Sequence, residues 1–487
     1  MKKAAYLVFI FSACLLSACK KEHPSGLSTI DQVKDSIFYY EQEDYLWNDA
    51  LPTYSSFHPR GYEADNDKDA LTKELNAISQ FKINPSTGLP YEYDIFNPGY
   101  AKYSFVDDGT ETASLNGTNN DFGFEPEYIA TNDLRVKYVY AGSPAGLAGI
   151  KRGYQVLSIN NNQNIEYDDG PNVNFVINAV YYSSSITMSL QKPTGQDTTI
   201  TLNTANYTVN PVLTYQVYNR GGGHVVGYIA FNSFTIPTNA EPQLNTVFNY
   251  FISQGVNDLV VDLRYNGGGD GTTAEYLDDL IAPASKSGSL MYTQYFNAGL
   301  QANHYPLLAK KYAISAGGFL PQNNRTFFKK ALSLDLNRVF FIVTGATASS
   351  SELTMNNLRP ELNVQLIGDT TYGKPVGEIP IPIKNYTLFS PQLYVENSAG
   401  QGDYYSGMAP GSASYPGLLA QDDITKDFGD TTEMLLAHAL HYVTAGVYAL
   451  NLPHIPSAQK TLALHQARVM ALKMETPHKF RAMVFKK

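Results

Sequence analysis

Four short apolar runs in the middle of this chain carry almost no polar alternation: H-V-V-G-Y-I-A-F (224–231), D-L-V-V-D-L-R (258–264), R-V-F-F-I-V-T (338–344) and N-V-Q-L-I-G-D (363–369). A strand with one wet face alternates polar and apolar residues, whereas a continuous apolar run needs cover on both faces. Helical patterns stand between the runs, among them N-T-V-F-N-Y-F-I-S (245–253) and S-E-L-T-M-N-N-L (351–358). Alternation of this kind predicts an α/β core with a partly parallel sheet, spanning residues 210–447. Two of the runs lead into loops that can carry chemistry. The strand at 259–263 feeds N-G-G-G (266–269), and the strand at 339–343 feeds T-A-S-S-S-E (347–352).

The flanking regions read differently. Residues 27–115 open with I-D-Q-V-K-D-S-I-F-Y-Y and D-K-D-A-L-T-K-E-L-N-A-I, whose apolar residues recur at spacings of three and four, so a helical region is expected there. Trp47, the only tryptophan, is read as a packing residue. The Gly-, Asn- and Asp-rich stretch 91–120 reads as turns and a linker. Residues 121–208 alternate in V-K-Y-V-Y, Q-V-L-S-I, I-T-M-S-L and T-T-I-T-L and predict a small β-rich unit. The last stretch, 448–487, is basic and amphipathic, as suits a surface-docked helix or a flexible end.

Length and charge narrow the options. At 487 residues the chain suits two or three domains, and a net charge of −10 without a basic stripe argues against nucleic acid as a partner. The 36 tyrosines fit strand-rich structure as readily as a binding groove. At the start, Lys2 and Lys3 precede an apolar run and L-S-A-C ending at Cys19, the pattern of a secretory signal too short to span a membrane. The other cysteine, Cys14, falls inside the segment that would be removed, leaving no thiol for a disulfide or a metal site.

Chemistry concentrates in the core. Ser349 follows an apolar strand and precedes a helix, so its hydroxyl is presented at a strand-to-helix turn. A plainer reading is that Ser349, Ser350 and Ser351 cap that helix, with Glu352 favourable in its first turn. Lys374, in T-Y-G-K, takes up a proton only if it is desolvated or set beside positive charge, and the apolar runs around it offer such a pocket. With no histidine between them, Ser349 and Lys374 form a candidate nucleophile and base. The N-G-G-G loop lets backbone amides turn toward a developing negative charge, and Asp262 and Arg264 are expected to brace it. There is no phosphate-binding G-x-x-x-x-G-K-[ST] and no H-E-x-x-H zinc motif. His438 and His441 have helix spacing that could hold a metal, but no acidic or cysteine ligand stands near them in sequence.

Three stretches resemble known families. G-S-P-A-G-L-A-G-I-K-R-G-Y-Q-V-L-S-I-N-N (142–161) resembles the heart of a PDZ domain of the bacterial protease type, with Tyr154 where an aspartate is usual. The L-S-A-C ending resembles a bacterial lipobox, which implies lipidation of Cys19, a membrane anchor and a bacterial envelope location, facing the periplasm or the surface. The order of PDZ-like unit, D-L-R-Y-N-G-G-G-D, T-A-S-S-S-E and T-Y-G-K resembles the C-terminal processing, or tail-specific, serine proteases over most of residues 30–445. That resemblance implies a crotonase-like mixed sheet, Ser349 as nucleophile and Lys374 as base. It also implies an oxyanion hole from Gly268 or Gly269 with the amide of Ser350, no cofactor, and a polypeptide substrate captured by its C-terminal end at the PDZ-like unit. The family often has a glutamine four residues after the lysine, and Glu378 stands there. Glu378 would favour a charged Lys374, so a non-catalytic peptide- or ligand-binding protein on the same scaffold is the main alternative. An esterase or amidase acting on small molecules is a third.

Overall fold

The computed structural model describes residues 28–168, 170–336, 338–448, Met470 and residues 481–486. The signal segment with Cys14 and Cys19, and most of the 448–487 stretch, lie outside the described residues.

The four apolar runs are neighbours in one six-stranded sheet, in the order Gly417–Leu419, Asn363–Gly368, Arg338–Val343, Asp258–Asp262, His224–Phe231, Val212–Gly221. All pairs are parallel except the last, where Val212–Gly221 runs antiparallel at the edge. The sheet is therefore mixed, and successive residues divide between its faces. Leu259, Val261, Val339, Phe341 and Val343 join the main core with the helices Pro237–Ser253, Gly271–Ile281 and Ser350–Leu358. Val260, Phe340 and Ile342 face the other way, onto Leu435, Leu436 and Ala439 of the helix Met434–Ala445. Burial on both faces is why these strands lack polar alternation.

The N-terminal helices Thr29–Asp44 and Asp67–Ile78 pack Val33, Ile37, Phe38, Leu71 and Leu75 into that same main core. The stretch expected to be turns and linker is turn-rich but structurally committed. Its strand Phe105–Asp107 pairs antiparallel with Tyr386–Phe389. Just upstream, the buried Glu92 carboxylate accepts hydrogen bonds from Tyr45 Oη (2.6 Å), Tyr103 N (2.9 Å), Ser104 N (2.8 Å) and Ser104 Oγ (2.8 Å). The helical region is thus stitched into the core as part of it.

Residues 121–208 form a second unit, an antiparallel sheet in the order Phe124–Ala130, Asp133–Val139, Gln155–Ile159, Ser185–Gln191, Asp197–Asn203. It encloses its own apolar cluster, including Leu134, Val156, Ile159, Val176 and Met188, with the helix Pro171–Tyr181 packed on it. Phe124–Ala130 is an edge strand of this sheet.

A buried ionic network joins this unit to the core. Arg152 donates to Lys137 O (2.8 Å) within its own unit, and to Tyr265 Oη (2.7 Å) and Asp422 Oδ1 (2.8 Å) of the core. Arg264 in turn donates to Asp422 (2.6 Å), Asp262 (2.7 Å) and Glu433 (3.0 Å). Burial opposes charge on Asp422, yet the two guanidinium groups hold its carboxyl well below the usual range. Replacing Arg264 by alanine would strand Asp262 and Glu433 without a counter-charge in a dry interior. The expected cost is about 3–5 kcal/mol of stability, read as a lowered denaturation midpoint; an unchanged midpoint would show that these carboxylates need no cation.

Candidate active site

The strand Asp258–Asp262 ends where the ionic network begins, and the chain then turns through Tyr265 and Asn266. Asn266 holds the loop from within. Its side-chain amide donates to Phe231 O (2.9 Å), its Oδ1 accepts from Gly268 N (2.9 Å), and its carbonyl accepts from Ala348 N (3.1 Å) and Ser351 Oγ (3.0 Å). Gly268 and Gly269 have φ of 103° and 136°, in the region that favours glycine. A side chain on Gly269 would also lie 2.0 Å from Phe234 O.

The second loop is bound to the first. Thr347 Oγ1 donates to Leu263 O (2.8 Å) and Ser350 Oγ to Gly269 O (2.8 Å). Between them Ser349 adopts φ 61°, ψ −113°, a conformation that costs on the order of 1–3 kcal/mol for a residue with a side chain and persists only where its surroundings over-determine it. Its hydroxyl is buried and makes no hydrogen bond among the described residues. It faces the Glu352 N–H in a capping-box arrangement, with Glu352 accepting in turn from Ser349 N, but falls short of a full hydrogen bond.

What holds Ser349 in place is the buried carboxylate of Glu352. It accepts from Ser349 N (2.9 Å), Lys374 N (2.8 Å), Gly373 N (2.7 Å) and Thr371 Oγ1 (2.5 Å). Burial pushes this carboxyl up, and the four donors pull the other way. One side chain thus fastens the backbone of the serine to that of the lysine. The sequence reading treated Glu352 as a helix-end charge, because nothing in one dimension marks its partners.

Lys374 and Glu378 are both fully buried and form an ion pair within one turn of chain. Lys374 Nζ also donates to Arg481 O (2.6 Å) and stands 5.7 Å from the centre of the Tyr103 ring. Burial pushes Glu378 up to about 7, against the Lys374 ammonium and the Met483 N–H, which favour its charged form.

Residues 481–486 complete the site. Gly269 N donates to Ala482 O (2.6 Å), while Gly268 N is taken by Asn266. A Cβ built on Gly268 would lie 2.5 Å from Ala482 O, 2.9 Å from Ser349 Cβ and 2.9 Å from Ser350 N, so these atoms ring one small volume. Of the residues singled out from sequence, Ser349, Ser350, Gly268, Gly269, Lys374 and Glu378 are all gathered here. His438 and His441 sit apart, on the helix Met434–Ala445. Among the described residues no group of three His, Cys, Asp or Glu side chains is placed to hold a metal. A cavity of about 870 Å³ runs from the edge strand of the second unit to the glycine loop, lined by Phe124, Tyr138, Tyr181, Tyr265 and Gly268 among others.

The sequence model of peptidase family S41 matches residues 225–398, the stretch that carries the glycine loop, Ser349 and Lys374. A carboxyl-terminal-processing protease of Picosynechococcus is 24% identical over 274 residues, 54% of this chain and 55% of that protein. The carboxy-terminal processing protease CtpA of Bacillus subtilis is 27% identical over 233 residues, 48% of this chain and 42% of that protein. The chain spans about half the length of the curated relatives it matches. A crystal structure of an S41 protease candidate from Bacteroides fragilis shares the fold, with a TM-score of 0.58 and 22% identity over 86% of this chain and 97% of that one. These similarities support the S41 family for this stretch.

Glu378 gives the site a pH signature. Between the ordinary glutamate range and about 7, the folded protein holds a proton on Glu378 that the unfolded chain has released. Stability contributed by this group is present in full below that window and is lost as pH rises through it. Burial sets the upward shift; of the charged neighbours, Lys374 opposes it and Glu92 adds to it. The Glu378→Gln variant should therefore gain stability over the parent as pH rises from about 4.5 to 7, with no gain below. Denaturant titrations at a series of pH values test this, and a pH-independent difference would mean that the Glu378 carboxyl titrates alike in the folded and unfolded chain.

Proposed function

We propose that this protein is a serine endopeptidase of the carboxyl-terminal processing type, working through Ser349 and Lys374. The observation that carries the reading is the convergence of an unbonded, buried serine hydroxyl in a strained backbone, a buried lysine fastened to it through Glu352, and a glycine amide aimed at a peptide carbonyl. The family match over residues 225–398 and the two processing-protease relatives support the same chemistry.

In the proposed reaction the Lys374–Glu378 pair holds one proton between amine and carboxylate in a pocket closed to water. When the proton rests on Glu378, the amine of Lys374 takes the proton of Ser349 Oγ as that oxygen attacks the substrate carbonyl. The tetrahedral oxyanion is met by the amides of Gly269 and Ser350, donors already oriented before the reaction begins. Lys374 passes its proton to the departing amine, and water then releases the acyl group from Ser349. In this reading Glu378 stands where relatives often carry glutamine and acts as the proton partner of Lys374.

The second unit is assigned as a PDZ domain. Its edge strand Phe124–Ala130 and the helix Pro171–Tyr181 flank one end of the cavity that reaches Gly268. An extended polypeptide end added to that edge would be led toward Ser349. On the same reading Cys19 carries lipid and tethers the protein to a bacterial envelope, and a Cys19→Ala variant should leave the membrane fraction.

The Lys374–Glu378 ion pair favours one competing reading, a peptide-binding protein that does not cut. Digestion of casein, an unfolded protein, separates the two. The parent should cleave it, and Ser349→Ala and Lys374→Ala should each lose about 10⁴-fold or more in kcat while remaining folded. Undiminished cleavage by either variant would remove that residue from the mechanism. Failure of the parent both to cleave and to react with a serine-directed probe would leave the binding reading.

A further inference from the structure

Residues 481–486 of this chain lie in the cleft as an added strand held on both sides. On one side Met483–Val484 pairs parallel with Gly269–Asp270, and Ala482 O accepts from Gly269 N at 2.6 Å. On the other, Glu378 N donates to Met483 O (2.8 Å), Phe485 N donates to Glu378 O (2.9 Å), and Met483 N donates to Glu378 Oε2 (3.1 Å). Main-chain bonding of this sort is how an extended peptide is recognised at a sheet edge.

The side chains are accommodated as closely as the backbone. Ala482 and Met483 are fully buried. Ala482 and Val484 share an apolar cluster with Leu115 and Phe389. Phe485 enters a slot walled by two glycines. A Cβ on Gly271 would lie 2.4 Å from the Phe485 ring and one on Gly377 2.8 Å, with the Tyr292 ring centre 6.2 Å away. Any larger residue at 271 or 377 would fill the space that the ring occupies. Upstream of the bond, Arg481 lends its carbonyl to Lys374 and sets its guanidinium 4.5 Å from the centre of the Tyr372 ring.

We propose that this segment is a substrate of the enzyme's own site: the cleft accepts a small residue followed by two apolar residues and an aromatic one, and Ser349 cleaves the Ala482–Met483 bond of this chain. The inference rests on the peptidase reading above and names the class of sequence that site takes. The carbonyl met by Gly269 is that of Ala482, and its oxygen lines the same small volume at Gly268 as Ser349 Cβ and Ser350 N, so this is the carbonyl presented for attack. Ser349 Oγ bonds to Ala482 C and its proton passes to Lys374. The Ala482 C–Met483 N bond breaks, and Met483 N leaves as an amine carrying that proton. One water then hydrolyses the Ala482 ester, restoring Ser349 and leaving a carboxylate on Ala482. Until that happens the segment covers the cleft, with Arg481 O accepting a hydrogen bond from Lys374 Nζ.

Mass spectrometry of the purified full chain tests this, with casein digestion run beside it. The parent, as purified or after incubation, should yield a body ending at Ala482 and a released peptide beginning Met-Val-Phe. Ser349→Ala should keep the bond intact. Phe485→Ala, which empties the slot between Gly271 and Gly377, should slow release at least tenfold. An intact Ala482–Met483 bond in a parent that digests casein would overturn the inference and leave the peptidase reading standing. So would cleavage at a different bond of the segment, or unaltered release from Phe485→Ala. Cleavage of neither casein nor the segment would overturn both.

Discussion

The site depends on one buried carboxylate. Glu352 receives the backbone amides of Ser349, Gly373 and Lys374 and the hydroxyl of Thr371, so two loops that approach from different strands share a single anchor. Each of those amides would otherwise be a buried donor without a partner, at a cost of about 1–3 kcal/mol apiece. The carboxylate is in turn affordable in a dry interior only because four donors surround it. This mutual need is what allows Ser349 to remain in a strained backbone conformation with its hydroxyl unbonded.

A second layer of buried charge connects the glycine loop to the rest of the molecule. Tyr265 immediately precedes Asn266, and its hydroxyl bonds both Arg152 of the second unit and Asp422 of the core. Asn266 then orients Gly268 and accepts from both Ala348 and Ser351. The position of the second unit is thereby linked to the glycine loop through Tyr265 and the adjacent Asn266. An ionic network of this kind is costly to desolvate, and its value lies in geometry that apolar packing alone would not impose.

Much of the core was legible from pattern. Runs such as R-V-F-F-I-V-T admit only a strand buried on both faces, and the structure divides Val339, Phe341 and Val343 from Phe340 and Ile342 accordingly. The separate β-rich unit was legible for the same reason, since its strands alternate. The role of residues 91–120 was not, because turn-forming composition says nothing about whether Phe105–Asp107 finds a partner strand far along the chain. The residues gathered around Ser349 could be named from motif spacing. Glu352, Asn266 and the 481–486 segment could not be assigned their places, because hydrogen-bond partners distant in sequence leave no local periodicity.

By itself, then, the sequence determined the mixed α/β core, the separate second unit and the candidate side chains for chemistry, because hydrophobic period and residue type are local properties. Tertiary structure alone decided which amide of the glycine loop points at a carbonyl, how Glu352 joins the two loops, and that Lys374 meets Glu378 and Arg481 O in place of the serine hydroxyl. Those outcomes turn on distances of a few tenths of an ångström between segments remote along the chain, set only when the whole core closes around them.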